Sequence, residues 1–179
     1  PTGIPLAVGN GVTELLTDGQ GNVTGALVTQ RGGATERIEA RKVILAVNGY
    51  AGDKALVARF CPDIAGARYF GALGSTGEAI RWGEKLGAAI GNAGAYQGYA
   101  AVADPHGSLL SWTTIEKGGI IVDGRARRFG DESTGYSGFT PNVMAEAAPR
   151  FAIFDQRMHD VAALEEEFVE LARHGGFKS

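Results

Sequence analysis

The chain is poor in residues that staple a fold, hold a metal or concentrate charge. It has one cysteine, Cys61, in 179 residues. A single thiol forms neither an intramolecular disulfide nor a structural zinc site. It fits a reducing compartment, and a cytoplasmic location is the expectation. The three histidines, His106, His159 and His174, are scattered. With no H-E-x-x-H and no C-x-x-C, no metal site is expected, and the histidines read as solvated or structural. Phosphate-binding loops are missing too. There is no G-x-G-x-x-G and no G-x-x-x-x-G-K-[ST], and Gly71, Gly74 and Gly77 have the wrong spacing for either. No apolar run approaches the ~18 residues of a membrane span. The formal net charge is −3. Without a basic excess, electrostatic binding to nucleic acid or to an anionic membrane is not expected. Pro1 stands where an initiator Met would, with no basic or apolar leader after it. The expectation is a piece excised from a longer protein.

What is present is ordinary in bulk and unusual in glycine. Hydrophobic residues make up 44% and charged residues 21%, a globular balance rather than a disordered one. The 28 glycines are more than twice the usual ~7%, without a collagen repeat. Tight turns and close backbone approaches are the expectation.

Residues 12–47 read as β. Val12–Leu16 is a short strand, Asp18–Asn22 a turn cluster, Val23–Gln30 the return strand, and Glu36–Ala40 a half-exposed third strand. Lys42–Val47 is nearly all apolar, the pattern of a strand covered on both faces. It runs into Asn48-Gly49-Tyr50. Asp53–Phe60 reads as a short helix with Asp53 near its start. Ser75-Thr76-Gly77-Glu78 reads as a helix start with a hydroxyl N-cap and an acid in the first turn. Ala79, Ile80, Gly83, Leu86, Gly87 and Ile90 then form one helical stripe. Residues 91–111 look irregular. Gly119–Val122 reads as a strand, residues 125–138 as polar turns, Pro141–Ala148 as a short helix and Phe151–Phe154 as a strand. Asp155 caps a final helix expected to run to about Arg173. Its Glu165-Glu166-Glu167 run reads as a solvated face.

Four features stand above this background. A buried strand ending at Gly49 can bring backbone amides against a dinucleotide, or be an ordinary strand end. A helix start at 75–78 can bind an anion or a polar ring, or be an ordinary cap. Tyr96 and Tyr99, in a glycine-flanked loop, offer a phenol for proton transfer, or amphipathic packing. Arg127-Arg128-Phe129-Gly130-Asp131-Glu132, followed by Tyr136, suits a locally paired structural turn with Phe129 as its anchor.

The order of these pieces is more specific than any one of them. The hairpin around Asp18–Asn22, the run Val43–Tyr50, Ser75–Glu78, Gly118–Asp123 and Arg127–Glu132 together resemble the FAD-dependent fumarate reductase/succinate dehydrogenase flavoprotein family. That family includes the 3-ketosteroid dehydrogenases. The resemblance covers nearly the whole chain. It implies an α+β fold: a strip of an FAD-binding domain over 1–50, a capping or substrate-binding domain over 51–155, and a helix at 156–179 returning toward the FAD domain. It implies FAD as cofactor, bound by the intact protein rather than tightly by this portion alone, and the rest of that domain as a partner. Ala46, Val47, Asn48 and Gly49 would lie on the adenosine side; Val47 and Asn48 depart from the family's Ala-Thr-Gly-Gly. Thr76, Gly77 and Glu78 match Thr-Gly-Asp-Gly near the flavin ring, with Glu78 for Asp and Ala79 for Gly.

The substrate positions depart further. The family histidine of Gln-x-His-Pro-Thr falls on Tyr99. The Thr-Glu pair that holds a substrate carboxylate falls on Ser111 and Trp112. The proton-donating arginine falls on Tyr136. An indole does not replace a carboxylate, and a phenol does not clamp a dicarboxylate as Arg does. The resemblance therefore implies reduction or desaturation of a C–C bond by hydride exchange with flavin N5, on a small molecule less acidic than fumarate or succinate. Tyr136 is the first candidate acid or base and Tyr99 the second, with Tyr99 and Trp112 as pocket walls. Two other classes stay open: a stand-alone small-ligand binding module, and an interaction domain presenting the acidic helix 155–174.

Overall fold

A computed structural model describes residues 3–176, apart from the side chain of Glu167. It mixes helices with antiparallel strands. Two compact units meet in sequence between Ala95 and Tyr96. That boundary follows contacts, whereas the division expected at 50/51 and 155/156 follows motif order.

In the first unit, β1 (Asn10–Thr17), β2 (Val23–Gln30) and β3 (Thr35–Glu39) form an antiparallel sheet in that order. Turn chemistry explains the first hairpin. The Asp18 carboxylate accepts the amides of Gln20 at 2.9 Å and Asn22 at 2.8 Å, and Gly21 takes a φ of 83° that favours glycine. Val12 sits opposite Val28 and Leu16 opposite Gly25. Leu16 and Val28 are buried.

The expected strand over 42–47 does not form. Residues 43–49 have no regular structure. Ile44 is 90% exposed. An extended segment becomes a strand only when a neighbour takes up its amides and carbonyls. Among the described residues no strand pairs with this one. The apolar run encodes a demand for cover, and its partner is not encoded within it.

The short helix expected at Asp53–Phe60 forms as α1 (Lys54–Phe60), and Asp53 is its cap: it accepts from the amides of Ala55 at 2.8 Å and Leu56 at 3.0 Å. Helix α2 (Glu78–Lys85) is not capped by a hydroxyl. Its N-cap is Gly77, at φ 83°, with no side-chain cap bond. The Thr76 hydroxyl donates to the Glu78 carboxylate instead. A Cβ on Gly77 would run into Leu56 Cδ1 and Tyr50 Cβ. The helix is also shorter than its apolar stripe. Gly87, at φ 77°, ends it in the left-handed conformation common after a C-cap. Leu86 and Ile90 therefore lie past the last turn.

In the second unit, α3 (Thr113–Glu116) precedes β4 (Ile120–Asp123), which pairs antiparallel with β5 (Arg150–Ile153). The small helix α3 falls just past the irregular stretch 91–111, where no helix was expected. Helix α4 spans Gly135–Ala145 and carries Pro141 inside, so the expected start at Pro141 is corrected. A proline suits a first turn, but here the Asp131-capped 3₁₀ turn Glu132–Thr134 leads straight into the helix. This start buries Phe139 and Thr140. Asp155 caps by accepting from Met158 N at 3.0 Å. The single expected last helix is two, α5 (Gln156–Ala162) and α6 (Glu166–Arg173). Between them Glu165 is extended, at φ −88° and ψ 137°. Trp112, Ile115, Ile121, Phe139, Ala162, Phe168 and Leu171 form one buried core. Among the described residues no helix is long and apolar enough to cross a membrane.

Candidate functional site

Two groups of the expected site residues assemble, one in each unit. In the first unit, Asn48 adopts a positive φ of 61°. Its side-chain amide donates to Ser75 Oγ at 2.8 Å, and Gly52 N donates to Ser75 O at 2.9 Å. The segments 46–49 and 75–78, distant in sequence, are thereby joined. Ser75 is 2% exposed, so this is a sheltered bond. A Cβ on Gly49 would meet nothing within 4 Å, which leaves its backbone open to approach. Ala46 is exposed and Val47 partly buried on the same irregular segment.

Glu78 brings the charge. The Thr76 hydroxyl, above all, holds its carboxyl below the usual range, so it is ionised near neutral pH. One oxygen takes the Thr76 hydroxyl, while Oε2 is buried without a hydrogen-bond partner. An unmatched buried acceptor is costly, and a ligand N–H would satisfy it. These residues fit a polar heterocycle bearing a donor, with open backbone at Gly49.

Tyr50, beside this group, was only the end of a motif in the sequence. Its hydroxyl donates to Ala93 O and lies 3.1 Å from Cys61 Sγ. Burial, then the Cys61 thiol, pushes the phenol up to about 12. Tyr50 stays neutral and ties the loop at Ala93 to the end of α1. Cys61 is itself 3% exposed, a packed residue.

The second unit gathers Tyr99, Ser111, Trp112 and Tyr136. Tyr99 and Tyr136 stack with ring centroids 4.9 Å apart and planes 27° apart. Trp112 meets Tyr136 edge-on at 6.4 Å. Such pairs contribute about 0.5–1.5 kcal/mol beyond area burial. The Tyr99 hydroxyl donates to Leu110 O at 2.9 Å and accepts from Trp112 N at 3.1 Å. It therefore orients the segment carrying Ser111 and Trp112. The Tyr136 oxygen accepts from the Gln97 side-chain amide at 2.8 Å. That bond uses a lone pair and leaves the phenolic hydrogen to point elsewhere. Gln97 had no role in the sequence reading; only its place two residues before Tyr99 hinted at one.

Of the Glu165-Glu166-Glu167 run expected as a solvated face, Glu166 is exposed, the Glu167 side chain lies outside the described residues, and Glu165 departs from the expectation. Ser111 Oγ donates to Glu165 Oε2, and Thr113 Oγ1 donates to Oε1 at 2.6 Å. Thr113 N also donates to Ser111 Oγ at 3.3 Å. No spacing rule links positions so far apart. The break between α5 and α6 makes the contact.

The arginine-rich motif has a structural role. Arg128 donates to Glu132 Oε2, while Glu132 Oε1 accepts from Ile121 N at 2.8 Å. Burial pushes the Glu132 carboxyl up, yet Arg128 and the Ile121 amide outweigh it and the net shift is down. Asp123 accepts the amides of Arg125 and Arg127 and the Arg127 guanidinium at 2.8–3.1 Å. Phe129 packs partly buried against Phe139, with centroids 5.5 Å apart. The motif thus braces β4 beside Trp112. A cleft of about 460 Å³, lined in part by Trp112, Gly119, Arg128, Glu132 and Gly135, opens there. Among the described residues no group of three or more metal-ligating side chains occurs.

Known proteins match both the sequence and the fold. The model of the family described as "FAD binding domain" matches residues 4–173. The NADH:fumarate oxidoreductase of Klebsiella pneumoniae is 25% identical over 130 residues, covering 73% of this chain and 14% of that protein. A flavocytochrome c3 fumarate reductase in an open conformation superposes with a TM-score of 0.70 at 22% identity, over 91% of this chain and 29% of that one. A 3-ketosteroid-Δ4-(5α)-dehydrogenase from Rhodococcus jostii RHA1, bound to 4-androstene-3,17-dione, superposes at 0.58 with 25% identity, over 86% and 30%. The chain spans 14–28% of the length of the curated relatives it matches. The chain belongs to the FAD-dependent, fumarate reductase-like flavoprotein family, whose cofactor is FAD.

Proposed function

We propose that the chain forms part of an oxidoreductase that reduces or desaturates a C–C bond, and that its substrate is less acidic than a dicarboxylate. In this reading, residues 51–155 act as the capping or substrate-binding portion. Asn48 and Gly49, flanked by Ala46 and Val47, together with Thr76, Gly77 and Glu78, hold the cofactor. Bound FAD supplies the two-electron redox chemistry. The protein residues supply position, enclosure and a proton. Tyr136 is the acid or base: Gln97 donates to its oxygen, so its own O–H is the group presented to a ligand. Tyr99 is the positioning residue, because its hydroxyl is engaged by the main chain at Leu110 and Trp112. Ser111 and Trp112 form the substrate wall.

The observation that carries the reading is the aromatic group itself. Tyr99, Trp112 and Tyr136, far apart in sequence, stand in ring contact. Their surface is apolar and hydrogen-bonding rather than cationic. The ketosteroid dehydrogenase neighbour, bound to a neutral diketone, supports this substrate class.

The test uses the intact protein. It is expected to purify with bound flavin and to turn over enones or saturated ketones in preference to fumarate or succinate. Tyr136→Phe is expected to lower turnover by roughly 10²–10⁴-fold, the range for a lost general acid or base, with flavin content unchanged. Full activity in that variant would remove Tyr136 from the chemistry. Faster turnover of fumarate than of any enone would remove the substrate assignment.

A further inference from the structure

We propose that Glu165 sets the charge selectivity of the site in the second unit, turning away carboxylate ligands and favouring neutral ones that carry an N–H or O–H donor. The inference rests on the substrate-wall role given above to Ser111 and Trp112, and it adds a residue that wall did not include.

Donor arithmetic makes the argument. A hydroxyl carries one hydrogen to donate. Ser111 gives its hydrogen to Glu165 Oε2, and Thr113 gives its hydrogen to Glu165 Oε1. The Ser111 oxygen is also occupied as an acceptor, by Thr113 N at 3.3 Å. The hydroxyl pair that would suit a ligand carboxylate is thus filled by the protein's own. A second carboxylate would find both hydrogens committed. It would also stand beside a like charge at a partly sheltered position, where Ser111 is 5% exposed and repulsion is screened less than in water.

The same geometry offers something to a neutral ligand. An ionised carboxylate accepts at about four lone-pair sites, and the two hydroxyls use two of them. The remainder suit a ligand hydroxyl or amide hydrogen. Glu165 is partly exposed, so those sites are not sealed. Its placement comes from the break between α5 and α6, where the backbone is extended. A continuous helix there would not need this conformation.

The test compares benzoate with benzamide, near-isosteres that differ in charge and donors. Binding to the intact protein is measured by calorimetry at neutral pH, for the native protein and for Glu165→Ala and Glu165→Gln. The native protein is expected to bind benzamide at least tenfold more tightly than benzoate. Raising the salt concentration should narrow that gap. Glu165→Ala is expected to gain at least tenfold for benzoate and to gain nothing for benzamide. Glu165→Gln removes the charge but keeps an acceptor for the hydroxyls, so it should fold even if the alanine variant does not, with a smaller gain for benzoate. Unchanged benzoate affinity in the folded variants overturns the proposal. So does equal gain for both probes, which marks mere loosening, and so does no measurable binding of either probe to any form. Flavin content and the Tyr136→Phe result are read separately. Their failure would overturn the proposed function, while the two probes still report on Glu165.

Discussion

In the second unit Phe139, Ala162, Phe168 and Leu171 are each at most 2% exposed, whereas in the first Ile4, Leu6, Val8, Ile44 and Leu73 are 77–91% exposed. Both regions carry large apolar residues. The difference lies in what surrounds them. In the second unit helices and a two-stranded sheet close around one core. In the first, residues 3–7 and 43–49 carry apolar side chains without regular structure, and the three-stranded sheet buries only Leu16 and Val28 among its apolar residues. A hydrophobic segment stabilises a fold only where another element covers it.

The sharpest way to break this comparison is to truncate one large apolar side chain in each unit, buried in the second and exposed in the first. Phe139→Ala is expected to cost about 3–5 kcal/mol, seen as a lower unfolding midpoint and faster amide exchange at Ile121 and Leu171. Ile44→Ala should stay within about 0.5 kcal/mol, as surface changes do. A large loss at Ile44 would show that the first unit hides a core of its own.

Glu132 tests the bracing of the second unit. Glu132→Gln keeps an acceptor for Ile121 N but loses the charge that pairs Arg128, and should cost about 1–3 kcal/mol above pH 5. The sign with pH follows from the lowered carboxyl. Its ordinary value is 4.5, and the folded value lies below that, so between the two the unfolded chain binds more protons. The contribution is fully present above 4.5 and is lost as pH falls through the folded value. Denaturant melts across that window should show native and Gln variant converging on acidification. Parallel curves would mean that Glu132 does not carry the linkage.

Gly77 sharpens the comparison from the side of the first unit. Gly77→Ala is expected to cost roughly 1–2 kcal/mol from the left-handed backbone alone, with more from contact with Leu56 and Tyr50. Its signature is exchange confined to α1 and α2, together with reduced flavin retention by the intact protein. Uniform exchange in both units would count against the local account.

Which parts could be foreseen depends on the range of the interaction. The hairpin at Asp18–Asn22, the helix start near Asp53 and the cap at Asp155 were all legible, because each joins residues within a few positions. The local pairing of Arg128 with Glu132 was legible for the same reason. The start of α2 was not, since Gly77 is held by the space between Leu56 and Tyr50 as well as by its neighbours. Motif order pointed to the family and to Tyr99, Ser111, Trp112 and Tyr136. It said nothing of which hydroxyls are engaged.

The amino-acid sequence by itself determined the Asp18–Asn22 turn, the cap at Asp155, the local pairing of Arg128 with Glu132 and the flavoprotein family, all of which rest on short-range chemistry or on the succession of motifs. Only the tertiary structure decided that residues 43–47 lie unpaired among the described residues, that Tyr99 positions the segment after Leu110, and that Glu165 fills the hydroxyls of Ser111 and Thr113. Those outcomes depend on partners brought together by packing across more than ten, and in the last case more than fifty, positions of chain, a distance over which no local preference acts.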